Sequence, residues 1–188
     1  GNSTTTAIVD GGSSDHAIEI KSNSVIIENL TLQGSSDSIL FAGSYNNLRL
    51  QNLSISASDS DNGIYFDGTS SSTITNVTVN GTDRRAVLFE DVSAITVENS
   101  FFKNSSSSHG FEISDGSSTV VLDNVFIHNA GYSGSSAYGL YISGSSGVTI
   151  KNSTKVGDSK SYELYANGAS TLKVQNSTFI GPNLALIE

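Results

Sequence analysis

Residues 63–79 read Gly-Ile-Tyr-Phe-Asp-Gly-Thr-Ser-Ser-Ser-Thr-Ile-Thr-Asn-Val-Thr-Val, and the plan of the whole chain is contained in them. Ile64 and Phe66 alternate with Tyr65 and Asp67, Ile74 stands two residues before Asn76, and Val77 and Val79 follow it. Period-two alternation marks half-buried strands, and the Gly/Ser cluster between them marks a turn. The same pattern recurs along the chain. Asn29, Asn52, Asn76, Asn99, Asn124, Asn152 and Asn176 are spaced by 23, 24, 23, 25, 28 and 24 residues. Each is preceded two residues earlier by an aliphatic residue: Ile27, Leu50, Ile74, Val97, Leu122, Ile150 and Val174. Upstream of each lies another alternating strand, with inward pairs expected at Ile18/Ile20, Ile39/Phe41, Ile64/Phe66, Val87/Phe89, Phe111/Ile113, Leu140/Ile142 and Leu164/Ala166.

Three short strands in so few residues cannot bury their apolar faces alone. Stacking each strand on its counterpart one repeat later, at ~4.8 Å per step, buries them all. The expected fold is therefore all-β, a solenoid of about seven turns with three strands per turn. It forms one domain over residues 1–188, with regular turns from about 17 to 180. The recurring asparagine belongs at a bend, where Asn tolerates the left-handed conformation, and its amide can bond along the stack as an asparagine ladder.

Composition narrows the function classes. The 188 residues carry 9 Lys+Arg against 18 Asp+Glu, a net charge of -9, with no cysteine. A net acidic chain without a basic run is a poor nucleic-acid binder. No apolar run is long enough to span a membrane, and without cysteine there is no disulfide, thiolate metal site or thiol nucleophile. Abundant Ser, Thr and Asn with few Lys suits a secreted or cell-surface protein.

Residues 63–79 and Tyr138–Thr154 resemble repeats of the right-handed parallel β-helix proteins, the pectate-lyase-like superfamily. The resemblance runs from about Ala17 to Ile180 and implies the right hand of the coil. That fold serves lyases, hydrolases, epimerases, tailspikes, adhesins and non-catalytic modules. Where its members act on polysaccharides, the groove usually runs along or beside the outward face of the first strand. Here one outward column is expected to read Glu19, Leu40, Tyr65, Leu88, Glu112, Tyr141, Tyr165 and the next Lys21, Ala42, Asp67, Glu90, Ser114, Ser143, Asn167. His16, Asp37, Asn62, Arg85, His109, Tyr138 and Tyr162 are expected at the leading edge.

The candidate catalytic set is Asp67, Arg85, Glu90 and His109. Two carboxylates in one column, Asp67 and Glu90, raise one another's pKa, which suits a shared acid/base or a cation. Arg85 and His109 are the residues available to neutralise a uronate and to move a proton. Tyr65, Glu112, Tyr138, Tyr141, Tyr162 and Tyr165 form the candidate binding surface, since a tyrosine offers an apolar ring with a polar tip for stacking on sugars. Asp15, Asp37, Asp61 and Asp83 recur ahead of the first strand as a candidate calcium column; the same spacing suits Asx turns. No cofactor is required, and calcium is the one the residues accommodate.

Two function classes fit these residues. One is a secreted or surface protein that binds an extended polysaccharide, with lyase, epimerase or glycosidase activity open. The other is a non-catalytic solenoid segment of a larger surface protein. Lys155 interrupts the inward apolar series, so that either Val156 turns inward or the strand is irregular there. The strand edges at the two ends suit contact with another domain or copy.

Overall fold

The computed structural model describes residues 7–56, 60, 62–104, 108–129, 137–152, 154–156, 162–181, 183 and 185–187. They form an all-β parallel solenoid, with no helix among them. One eight-stranded sheet collects the first strand of every turn: His16–Ile20, Ser38–Ala42, Asn62–Asp67, Arg85–Glu90, Phe111–Ser114, Leu140–Ser143, Leu164–Asn167 and Ala185–Ile187. Each pairs in parallel with its counterpart one turn on. A second sheet stacks Ala7–Asp10, Ile26–Gln33, Arg49–Ser56, Ser70–Thr82, Ser93–Asn104 and Ser118–Asn129, followed by shorter strands to Ile180. In its long strands, the second and third strands expected of each turn run on as one, bent at the asparagine.

That bend has a backbone cause. All seven asparagines have φ between 46° and 59°, a region in which most side chains clash and Asn is enriched. Strand pairing skips the corner: Gln51 pairs with Thr75 and Leu53 with Val77, and the asparagines between them do not pair. Their side chains bond along the rod instead. Asn52 Nδ2 donates to Asn29 Oδ1 at 3.0 Å, Asn76 to Asn52 at 2.8 Å and Asn124 to Asn99 at 2.8 Å. Asn152 turns to Asp123 Oδ1 at 3.0 Å.

Like stacks on like in the core. Ile20, Ala42, Phe66, Phe89, Ile113, Ile142 and Ala166 share one buried column. The Phe66 and Phe89 rings lie 5.5 Å apart at 15°, and Phe89 meets Phe111 edge-on at 5.2 Å. Gly63 is fixed by space, since a Cβ there would come within 2.3 Å of Val79 Cγ1.

The second turn differs from expectation by one residue. His16 pairs with Ser38 and Ile18 with Leu40, so Leu40 and Ala42 point inward and Phe41 points out. Ser38, not Asp37, therefore occupies the leading edge, and Phe41 replaces Leu40 in the outward column. Ile39-Leu40-Phe41-Ala42 is apolar throughout, so alternation cannot choose a face there; the neighbouring turns do. Ile39 is buried as well, at the register position of Gly63. Around Lys155 the register holds: Thr154 and Lys155 pair with Phe126 and Ile127 on one side and with Thr178 and Phe179 on the other.

The corner geometry makes a prediction. Asn76→Ala places a Cβ residue with no side-chain donor at φ 54° and removes the bond to Asn52, for a combined loss of about 2 kcal/mol. Asn76→Gly loses the bond but not the conformation and should cost roughly half as much. Urea midpoints of the two variants test this; equal losses would contradict the conformational account.

Candidate functional site

The register places a continuous strip of outward side chains along the first-strand sheet. Its central column is Glu19, Phe41, Tyr65, Leu88, Glu112, Tyr141 and Tyr165. The leading edge adds His16, Ser38, Asn62 and Arg85 by direct pairing. Continuing the same offsets adds His109, Tyr138 and Tyr162. At one end the His16 and Phe41 rings stack at 4.9 Å, and Phe41 meets Tyr65 at 5.2 Å.

The middle of the strip is polar and half-buried. Tyr65 donates its hydroxyl to Glu90 Oε2 at 2.5 Å. Burial, then this bond, raises the Tyr65 pKa, and Asp67 and Asp37 add to the effect. Arg85 Nε donates to Glu112 Oε2, while its two terminal nitrogens make no hydrogen bond among the described residues. The Arg85 and Glu112 side chains are only 15% and 9% exposed. Burial raises the Glu112 pKa, and Arg85 pulls it back. His109 Nε2 lies 3.9 Å from the same Glu112 oxygen, and its Nδ1 accepts the Tyr138 backbone N–H at 3.2 Å. Burial first, then the Arg85 charge, lowers its pKa to about 4.

The four tyrosines gather around His109 in layers. Tyr138 and Tyr141, 5.5 Å apart in one turn, lie between His109 of the preceding turn and Tyr165 of the next. Tyr141 stacks on His109 at 4.5 Å and on Tyr165 at 5.5 Å; Tyr138 does so at 5.1 Å and 4.5 Å. All four interplanar angles are between 9° and 20°. Tyr162 sits at the margin, 6.4–6.5 Å from its neighbours and turned by 26–32°. Ring faces expected to meet sugars are thus largely turned onto one another.

The sequence-derived sets divide accordingly. Arg85, His109, Glu112, Tyr138, Tyr141, Tyr162 and Tyr165 come together, with Tyr65 and Glu90 joined one to the other beside them. Asp67 pairs in register with Glu90 but is exposed at the strand end. Asp15, Asp37 and Asp83 are exposed, and Asp37 Oδ1 accepts from Ser38 Oγ at 3.0 Å; Asp61 lies outside the described residues. Among the described residues no three Asp, Glu or His groups converge where a metal ion could sit. Phe41 was missed as a site residue because its apolar neighbours hid its face. A groove of about 460 Å³ in the first turn, lined by Ile18–Lys21, Val25–Glu28 and Leu30, includes none of the polar cluster.

The sequence matches the family described as the right-handed β-helix region over residues 5–154. The chain belongs to the right-handed β-helix family. No curated protein sequence matches this β-helix. Among solved structures it is similar to the A-module of the Azotobacter vinelandii mannuronan C-5 epimerase AlgE4. The TM-score is 0.50 and the identity 16%, over 90% of this chain and 59% of that one. It also matches a protein from Parabacteroides merdae named a candidate glycosyl hydrolase, with TM-score 0.41 and 16% identity over 89% and 78% of the two chains. The β-helix thus spans 59% of the length of the AlgE4 module. At 16% identity the likeness to the AlgE4 module shows the fold alone.

The cluster of this β-helix has a defined protonation pattern. With Nδ1 accepting from Tyr138, the neutral His109 ring carries its proton on Nε2, so it offers a donor and no lone pair on that side. An imidazole with a folded pKa below its unfolded value contributes stability that is complete above about pH 6.5 and lost as pH falls toward 4. Buried Glu112 acts in the opposite sense, its raised pKa favouring the protonated form at low pH. The Hε1 resonance of His109 should titrate with a midpoint near 4. His109→Gln should lose less stability than the parent between pH 6.5 and 4, by up to roughly 3 kcal/mol. A midpoint near 6.5 would contradict the buried, Arg85-facing placement.

Proposed function

We propose that this β-helix binds an extended polysaccharide along the strip from His16 to Tyr165, with Arg85 at its centre. The observation that carries this is the unbroken register of outward side chains over consecutive turns, a linear array matched to a linear polymer. Parallel strands repeat every ~4.8 Å, close to the length of a sugar unit, so each turn can address one residue of the chain. Arg85 supplies terminal N–H donors, and the edges and polar tips of the half-buried Tyr rings line the strip beside it. The AlgE4 module, which shares the fold, is named for its action on mannuronan. This reading goes with a protein that acts outside the cell, secreted or on the surface.

A second reading, catalysis as a lyase, epimerase or glycosidase through Asp67, Arg85, Glu90 and His109, is supported by the displaced pKa values of His109 and Glu112. Against it, the charges of Arg85 and Glu112 are spent on each other, and His109 Nδ1 already holds a backbone N–H. Recognition is therefore the better supported reading.

Affinity electrophoresis in mannuronan, polygalacturonate, mannan and xylan, with and without calcium, tests it. The parent protein should be retarded by at least one polymer and Arg85→Ala by none, with no new reducing ends, no unsaturated-sugar absorbance and no change in epimer ratio by NMR. Product formation would establish the enzymatic reading. Mobility unchanged in all four polymers would leave the non-catalytic solenoid segment as the function.

A further inference from the structure

We infer that Tyr141 recognises the polymer through its phenolic hydroxyl, as a hydrogen-bonding specificity residue, and not through its ring face. The inference rests on the polysaccharide reading and adds to it the mode of contact and the residue that makes it. Aromatic side chains on a carbohydrate-binding surface ordinarily offer a ring face to the C–H face of a sugar. The faces of Tyr141 are engaged by neighbouring rings. One side of its ring lies on His109 at 4.5 Å and 20°, and the other on Tyr165 at 5.5 Å and 9°. Those two residues belong to the turns on either side, so the stack takes up the two faces of the ring and leaves its edge.

What remains of Tyr141 for a ligand is that edge and its oxygen. The residue is half-buried, and its hydroxyl makes no hydrogen bond to protein among the described residues. Tyr165 differs, since its hydroxyl accepts a bond from Asn167 Nδ2 at 3.2 Å. Packing on both faces fixes the Tyr141 ring, so its O–H is held in place before a ligand arrives, which spares the ordering cost of binding. A fixed phenol both donates and accepts, which complements the hydroxyl groups of a sugar. It would favour a free hydroxyl over an O-methyl ether, because the ether cannot donate to it and carries extra bulk.

The test uses the full chain and the four polymers named above, each also in O-methylated form. Tyr141→Phe keeps the ring and removes only the oxygen. It should weaken binding of the retarding polymer about two- to twelve-fold, the range for one uncharged hydrogen bond. It should also bring the affinity ratio of native to methylated polymer toward one, with the melting temperature and near-ultraviolet circular dichroism unchanged. Tyr141→Leu, which removes the ring and its oxygen, gives the comparison. If Tyr141→Phe binds and discriminates like the parent while Tyr141→Leu is weakened, ring contact is the mode and the inference is overturned, with the polysaccharide reading intact. If the parent binds none of the polymers, both fall together.

Discussion

Every feature of this molecule depends on one constraint: each strand pairs in parallel with its own counterpart a turn later. That pairing supplies backbone hydrogen-bond partners along the described interior strands. It also forces residues at equal positions in successive turns into columns, inside and out. Interior columns hold Ala42 beside Phe66, both fully buried. Exterior columns carry whatever chemistry the repeat can spare. A slip of one residue in any turn would exchange the two sets, so the same pairing that stabilises the rod also positions its candidate site.

The corner asparagines show how tightly local and long-range terms are joined. An Asn at positive φ is the local choice that turns the chain, and its side-chain amide reaches the equivalent residue only when the turns are in register. The bend and the stack are thus mutually consistent, as expected of a sequence that specifies one fold. Where the interval lengthens to 28 residues before Asn152, the amide bonds to Asp123 instead, and the column continues with a changed partner.

On the outward strip, stabilising interactions and binding capacity compete for the same groups. Arg85, Glu112 and His109 are half-buried or more, and their charges are supportable there because they are held against one another. The layered rings of His109, Tyr138, Tyr141 and Tyr165 gain packing energy from their mutual contacts. The cost is that their faces are withdrawn from a ligand. A surface that reads from the sequence as a row of sugar platforms is, in the folded chain, a set of rings stacked on one another.

Repeat spacing, the corner asparagines and the inward aliphatic columns determine the parallel solenoid from the sequence alone, because period-two burial and a fixed turn length admit few other arrangements. The same spacing brings Arg85, His109 and Glu112, and the four tyrosines, onto one face. Sequence could not decide the second turn, where four consecutive apolar residues carry no alternation and only pairing with His16 and Asn62 sends Phe41 outward. Nor could it show that Glu90 binds Tyr65, that Glu112 rather than Glu90 holds Arg85, or which way the rings face. Those choices are made by side-chain torsions and by neighbours a full turn away, and spacing along the chain carries no record of either.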